Sequence, residues 1–321
     1  MMTTVDTDRT LSFTGFEPAA LKSFDTENAS RQLAELAGAA KSAGLGRLEA
    51  LAKGKSGTAA FLAAVMDLAP FLRDVVIRHP EFLEALFDVP VKDRIDAIIA
   101  DVSGLGLSFE SENELMAALR TAKAEAHFLI ALGDLGGIFG GAKTTEFVSR
   151  LAMASTQSAI RFLLKDAART GKLLLKSESE PEKESGWIIL GMGKLGAMEL
   201  NYSSDIDLIV LFDPWAGILP DVHNGVEIFS RLTRRLVRIM QDRTSDGYVF
   251  RTDLRLRPDP GSTPLAIPLE AALQYYEGRG QNWERAALIK ALPVAGDIEA
   301  GWQFLRELSP FIWRKYLDYA A

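Results

Sequence analysis

Residues 187–213, WIILGMGKLGAMELNYSSDIDLIVLFD, decide the fold of this chain. Within them, residues 187–190 and 206–212 are short apolar runs, which predict two β-strands. Three glycines follow the first run within six residues, and glycine readily adopts the backbone conformations of a tight turn. The stretch therefore predicts a strand, a glycine turn and a second strand of one sheet.

Asp205 and Asp207 stand at the beginning of the second strand. Residues i and i+2 of a strand point to the same face, roughly 6.6 Å apart along the backbone, so both carboxylates can reach one small object. Two carboxylates about 4 Å apart repel by roughly 4 kcal/mol at an effective dielectric constant near 20, and they need a cation or a shared proton. A divalent cation is the simpler answer, and oxygen ligands suit Mg²⁺ or Mn²⁺, with substrate phosphates as the remaining ligands.

The glycine turn before these aspartates predicts a phosphate-binding loop. Backbone N–H groups in such a turn can approach an anion closely, and one positive charge and two hydroxyls accompany it. The candidate phosphate ligands are Gly191, Gly193, Lys194, Gly196, Ser203 and Ser204. The glycine turn alone is explained as an ordinary turn, and the aspartate pair alone as solvated side chains. The two motifs joined in this order favour a catalytic site.

These residues also resemble a known signature. The pattern G-x-G-K-L-G-x-x-E-L-x-x-x-S-D-I-D-L, residues 191–208, is similar to the nucleotidyltransferase motif of the bifunctional glutamine synthetase adenylyltransferase and adenylyl-removing enzymes. The wider superfamily resembled is that of DNA polymerase β, whose members place three carboxylates around two metal ions. Asp253, within D-L-R-L-R-P, resembles the third carboxylate.

The resemblance implies an α+β fold. An N-terminal helical bundle precedes a polymerase β-like nucleotidyltransferase domain, which has a mixed β-sheet flanked by helices. The 321 residues are a two-domain length, and a helical period dominates the first half. The predicted parts are a flexible leader (1–25), a helical domain (26–176), a linker (177–185), the nucleotidyltransferase domain (186–309) and the start of a further helical region (310–321).

Residues 248–258 bring further charges toward the predicted site. Alternation along a strand places Arg251, Asp253, Arg255 and Arg257 on one face. An acid among three arginines suits a site that holds both metal and phosphate. A surface strand facing solvent is the alternative.

Residues 283–292 predict a last strand, similar to the family's W-E-R-x-A-L-I-K-A-R pattern. Glu284, Arg285 and Lys290 line the site or form surface ion pairs. Leu292 stands where the family pattern has an arginine, which puts one phosphate contact in doubt.

Residues 226–239 predict an amphipathic helix with an arginine-rich polar side. Its arginines are Arg231, Arg234, Arg235 and Arg238. A solvated basic face is the simplest interpretation, and electrostatic attraction of an anionic partner is the alternative.

Composition restricts the partners and the location. The 36 basic and 43 acidic residues give a formal charge of −7 and a pI near 5.2, whereas non-specific nucleic-acid binders are usually basic. The polar start lacks the apolar core of a signal peptide, and no apolar stretch is long enough to span a membrane. With no cysteine, the chain is predicted to be cytoplasmic, without a nucleic-acid or membrane partner.

The resembled family carries two catalytic cores in tandem, of which the first removes AMP from a tyrosine of glutamine synthetase and the second attaches it. A start methionine and one helical region precede this core, so it resembles the first. The resemblance implies phosphorolysis, in which inorganic phosphate attacks the adenylyl phosphorus and ADP leaves, and it implies the PII signal protein as a regulator. The implied catalytic residues and metal ligands are Asp205, Asp207 and Asp253, and the implied phosphate or adenine nucleotide ligands include Arg255, Arg257 and Lys290.

Two alternatives stay open. ATP-dependent adenylylation of glutamine synthetase, or nucleotidyl transfer to another acceptor, uses the same residues. A catalytically silent module that senses nucleotide or binds protein is the other alternative. Leu292 is compatible with a catalytically silent module. The complete set of three carboxylates argues against this alternative.

Overall fold

The computed structural model of the chain describes residues 13–313. Packing divides the chain into two compact units. Within the described residues, the first unit takes residues 13–99 and Ala122–Phe147, and the second takes Ala100–Thr121 and residues 148–313. Packing does not test which parts fold independently, so the predicted boundaries at residues 176 and 186 stay predictions.

Helices dominate the described residues before residue 170, as the helical period predicted. In chain order they are α1 (Thr26–Ser42), α2 (Gly46–Lys53), α3 (Gly57–Leu68), α4 (Pro70–Arg78), α5 (Glu81–Glu84), α6 (Val91–Ser108), α7 (Glu112–Leu135) and α8 (Gly141–Arg169). Pro70 separates α3 from α4, because proline fits the first turn of a helix and not its interior. No helix of the described chain is both long enough and apolar enough to cross a membrane.

The first unit includes part of the predicted leader. Phe13 and Phe16 are buried with their ring centroids 5.7 Å apart. Farther along, the Asp67 carboxylate accepts hydrogen bonds from the backbone N–H groups of Phe24 at 2.7 Å and Asp25 at 2.9 Å. The chain is thus tied down just before α1, whereas residues 1–12 lie outside the described residues.

The second unit is built on a mixed five-stranded sheet. Its strands are β1 (Trp187–Gly191), β2 (Ile206–Phe212), β3 (Thr252–Asp253), β4 (Ile267–Pro268) and β5 (Leu292–Gly296). Strand β1 lies between β2 and β5 and is antiparallel to both, whereas β3 and β4 pair in parallel with the other edge of β2. The first two strands were predicted, and the mixed sheet confirms the α+β class.

Short and medium-length helices follow the strands. They are α9 (Gly193–Gly196), α10 (Gly225–Gln241), α11 (Leu269–Arg279), α12 (Asn282–Leu288), α13 (Ile298–Glu307) and α14 (Ser309–Ile312). The last helix lies in the predicted further helical region, of which residues 314–321 are outside the described part of the chain.

Both faces of the sheet are covered, which explains why β1 and β2 are continuous apolar runs rather than alternating ones. On one face, Ile188 of β1 belongs to a buried cluster with Phe304 of α13. On the other face, Trp187 and Phe212 contact Phe229 of α10, with ring centroids 5.7 Å and 4.7 Å apart. The sheet is therefore held between two helical layers, and its strand ends position the site.

The prediction of a strand over residues 283–292 is wrong, because most of this segment forms α12. The Glu284 carboxylate accepts a hydrogen bond from the backbone N–H of Gln281 at 2.8 Å and completes a capping box, which starts a helix. Glu284 is buried and serves the helix rather than the site. The last strand begins later, at Leu292.

The strand predicted over residues 248–258 shrinks to Thr252–Asp253. The Asp253 carboxylate accepts a hydrogen bond from the backbone N–H of Arg255 at 2.8 Å. An aspartate bonded to the backbone two residues ahead favours a turn, so the chain leaves the sheet at once. The predicted alternation through Arg257 therefore does not exist.

Two of the four arginines of α10 contradict the predicted solvated basic face. Arg235 binds Glu112 at 2.8 Å and Asp166 at 2.6 Å, and Arg238 also binds Glu112. These pairs join α7, α8 and α10 within the second unit.

The predicted linker, residues 177–185, forms neither helix nor strand. Glu182 in this segment is buried and accepts a hydrogen bond from Arg161 Nε at 2.9 Å. Arg161 also donates to the Ser103 carbonyl at 2.9 Å. The segment is thus attached to helices of the second unit.

Candidate active site

Two of the predicted catalytic aspartates lie side by side. Strands β2 and β3 run parallel, and their register pairs Asp207 with Asp253. Because paired residues of adjacent strands point to the same face, the two carboxylates share one side of the sheet. Asp205 directly precedes the first residue of β2, two residues before Asp207. The structure therefore brings all three aspartates to one corner of the sheet.

Arginines bind the two outer carboxylates. Arg251 Nε donates to Asp205, and its Nη2 donates to the Ser203 carbonyl at 2.7 Å. Arg255 binds Asp253 through Nε at 2.9 Å and Nη2 at 2.5 Å. Hydrogen bonding to Arg255 lowers the pKa of Asp253 below its usual range, so this carboxylate stays ionised.

The pKa of Asp207 is shifted in the opposite direction to that of Asp253. Burial, followed by the negative charges of Asp253 and Asp205, raises the pKa of Asp207 above its ordinary value. Within residues 13–313, no side chain or backbone N–H donates a hydrogen bond to this carboxylate. A charge under such repulsion is one that a cation stabilises.

The donor set suits a divalent cation chemically, because three carboxylates offer the hard oxygen ligands of Mg²⁺ or Mn²⁺. In the described chain, however, no three acidic or histidine side chains are arranged closely enough to hold a metal ion as they stand. A cation on Asp205 or Asp253 has to compete with Arg251 or Arg255. Metal binding by these aspartates thus stays a prediction.

The three glycines of the predicted phosphate loop have different roles. A Cβ on Gly191 would lie 2.6 Å from Val294, and one on Gly196 would lie 1.8 Å from the Lys290 carbonyl oxygen. Gly191 permits close packing against β5, and Gly196 permits close packing against the turn that precedes β5. Gly193 has a φ of +54°, a conformation that favours glycine. An ideal Cβ on this residue would lie 3.5 Å from Asp207 Oδ2, so the turn passes close to this carboxylate.

The polar residues of the glycine turn lie near the aspartates. Lys194 Nζ lies 3.4 Å from Ser204 Oγ, and the positive charge of Lys194 acts on Asp207 to oppose the rise of its pKa. Ser203 contributes its carbonyl to Arg251.

The remaining predicted ligands have partners elsewhere. Arg257 Nη1 donates to the Leu254 carbonyl at 2.9 Å and its Nη2 to the Pro260 carbonyl at 2.7 Å, which holds the loop after β3. Lys290 Nζ lies 3.2 Å from Glu199 Oε2.

An open cleft of about 790 Å³ adjoins Asp205 and Asp253. Its walls beyond the carboxylates come from α10, the loop that follows it, residues 251–255 and residue 265. We name it the basic cleft and define it by Arg234, Val237, Gln241, Arg243, Tyr248 and Leu265. Sequence reasoning missed this cleft, because its residues are scattered along the chain.

Arg120 is a second residue that sequence reasoning missed. Only 1% of it is exposed, and it donates to the carbonyls of Met116 at 2.8 Å, Asp242 at 2.5 Å and Gly247 at 2.9 Å. It thereby fixes the loop between α10 and β3, which carries Asp253. No local pattern in the sequence marks this contact.

The chain is similar in sequence to bacterial adenylyltransferases. The family model for glutamate-ammonia ligase adenylyltransferase matches residues 59–307. A bifunctional glutamine synthetase adenylyltransferase/adenylyl-removing enzyme of Mesorhizobium japonicum is 59% identical over 315 residues, which are 98% of this chain and 32% of that protein. Proteins of the same name from Brucella suis and Bartonella quintana are 56% and 58% identical, over 94% and 84% of this chain and 31% and 28% of theirs.

The chain thus spans about a third of the length of these relatives. The model match covers more than half of the chain and includes all three aspartates and the glycine turn. The chain therefore belongs to the glutamate-ammonia ligase adenylyltransferase family of nucleotidyltransferases.

Proposed function

We propose that this chain removes AMP from adenylylated glutamine synthetase by phosphorolysis. The observation that carries the proposal is the pairing of Asp207 with Asp253 beside Asp205, next to a glycine turn with a lysine. The names of the relatives supply glutamine synthetase as the protein substrate and include the adenylyl-removing activity.

In the proposed reaction, an oxygen of hydrogen phosphate attacks the adenylyl phosphorus. The new phosphorus–oxygen bond gives ADP, the bond from phosphorus to the tyrosine oxygen breaks, and the proton of hydrogen phosphate ends on that oxygen. Divalent cations on Asp205, Asp207 and Asp253 would neutralise charge on the attacking and leaving oxygens.

The chain's own residues bind and orient the reactants. Lys194 and the backbone of the turn at Gly193 hold an anion near Asp207, with Ser204 as a neutral donor. Arg251 and Arg255 are close enough to the carboxylates to bind phosphate oxygens when a cation replaces them there. Regulation by the PII signal protein stays a prediction from the family resemblance.

The test is the nucleotide product. Purified chain, Mg²⁺, phosphate and adenylylated glutamine synthetase should release ADP, and omission of phosphate should stop the release. Asp207→Asn, which removes a charge at nearly constant volume, is the matched inactive control. ATP consumption with AMP appearing on unmodified glutamine synthetase, and no phosphate-dependent ADP, would reverse the assigned direction and leave the site unchanged.

A further inference from the structure

The basic cleft contains two arginines that are not committed to the carboxylates. Within residues 13–313, Arg234 makes no hydrogen bond or ion pair. Arg243 contacts the ring of Tyr248, with its guanidinium carbon 5.7 Å from the ring centroid, and it has no acidic partner among the same residues. Both arginines are exposed, so they can receive an external anion.

The four arginines that line the cleft differ in their partners. Arg251 and Arg255 hold Asp205 and Asp253, so those pairs are neutral. Asp242 is the remaining acid of the lining, which also contains Arg234 and Arg243. The cleft therefore carries an excess of positive charge although the whole chain has a charge of −7.

Strand β2 lies between the cleft and the glycine turn. The turn follows β1, which pairs with one edge of β2, whereas β3 pairs with the other edge. Asp207 belongs to β2 and Asp205 directly precedes it, so both lie between the turn and β3. The two binding surfaces thus approach the carboxylates from opposite sides.

An in-line displacement requires the attacking and leaving groups to lie on opposite sides of the phosphorus, because their oxygens lie roughly in line through it. If the glycine turn takes the attacking phosphate, as the proposed function holds, the leaving tyrosine lies on the cleft side. A tyrosine of a protein arrives with its neighbouring residues, and an open cleft of about 790 Å³ is large enough for several side chains.

From this geometry we infer that the basic cleft binds the polypeptide segment around the modified tyrosine, and that acidic residues of this segment contact Arg234 and Arg243. Tyr248 and Leu265 provide an aromatic and an apolar surface for its other side chains. The inference rests on the proposed function for the assignment of sides.

Binding is measured separately from turnover, so that the two proposals can fail independently. The probe is adenylylated glutamine synthetase in a buffer with EDTA and no phosphate, which prevents the reaction in either direction. The variants are Arg234→Ala, Arg243→Ala and both together. Arg231→Ala is the matched control, because Arg231 lies on the same helix and pairs with Glu227 outside the cleft.

Each single variant should weaken binding about three- to fivefold, and the double variant by about tenfold or more, as exposed charge contacts do. Arg231→Ala should bind as the wild-type chain does. Added salt should weaken wild-type binding more steeply than binding by the double variant.

Two further measurements identify what the cleft recognises. ADP with Mg²⁺ should bind the double variant as it binds the wild type, and an equal loss of ADP affinity would make the cleft a nucleotide site instead. A tyrosine peptide flanked by glutamates should compete at least about fivefold better than one flanked by glutamines.

Wild-type affinity in the double variant, or equal competition by both peptides, would overturn the inference. Because these results do not depend on ADP release, a chain that binds as expected but forms no ADP refutes the proposed function and not the inference about the cleft.

Discussion

Gly196 offers a stability prediction that follows from one contact. A Cβ at this position would lie 1.8 Å from the Lys290 carbonyl oxygen and 2.5 Å from the Gly191 carbonyl oxygen. To reach the smallest separation that real Cβ atoms show, 3.0 Å, the backbones must part by at least about 1.2 Å. Both neighbours are backbone atoms, one in β1 and one in the turn that precedes β5, so no side chain can rotate away.

We expect Gly196→Ala to cost about 3 kcal/mol of unfolding free energy, the upper end of the usual overpacking cost. For a unit of this size, the loss corresponds to a fall of about 6–12 °C in Tm. Since the same shift moves Gly193 and Lys194 relative to Asp207, ADP release should fall as well.

The matched control is Gly278→Ala, because Gly278 lies in α11 and an added Cβ there meets nothing within 4 Å. This variant should gain about 0.5–1 kcal/mol from the smaller backbone entropy of the unfolded chain. Urea and thermal unfolding, followed by circular dichroism, measure both variants. A Tm of Gly196→Ala within about 2 °C of the wild type would refute the argument from close packing.

Three further predictions use other parts of the chain. Asp207→Asn should reduce ADP release at least about 10³-fold while Tm stays equal or rises, because the change removes a charge whose burial and whose repulsion by Asp253 and Asp205 raise the pKa of Asp207. Gly106→Ala should lower Tm, since its Cβ would lie 1.8 Å from the Ser158 carbonyl oxygen, whereas Gly104→Ala on the same helix meets nothing within 4 Å and should not. Hydrogen bonds from Asp25, Asn28 and Phe24 hold the pKa of Asp67 below its usual value of 3.8, so Asp67 contributes stability above that pH. Urea unfolding of Asp67→Asn should therefore show a deficit at neutral pH that shrinks as the pH falls below about 3.8.

The parts of the fold that local patterns determine could be predicted from the sequence. Strands β1 and β2 are apolar runs because both of their faces are buried, and α10 has a clear amphipathic period. Asp205 and Asp207, at the start of β2, were found because their spacing of two places them on one face.

The errors have physical causes that alternation and family patterns do not contain. Asp253 ends β3 by binding the backbone of Arg255, and Glu284 starts a helix through a capping box with Gln281. In both cases, one side-chain hydrogen bond to the backbone outweighs the strand pattern.

Contacts between distant segments had no local signal at all. Arg234 and Tyr248 line one cleft because the chain reverses between α10 and β3. The partners of Arg257 and Lys290, a loop backbone and Glu199, likewise depend on the final fold. Residue type predicted the chemistry of these side chains, but only the structure shows what each one touches.

The buried position of Arg120 has a consequence for how the site can change. Strand β3 has only two residues, so it forms few backbone hydrogen bonds of its own. The hydrogen bonds from Arg120 to the carbonyls of Asp242 and Gly247 hold the loop before this strand in place. The third carboxylate, Asp253, is therefore coupled mechanically to a turn of α7, a helix that contributes none of the three aspartates. A substitution in that helix can therefore alter the geometry of the carboxylates without touching them.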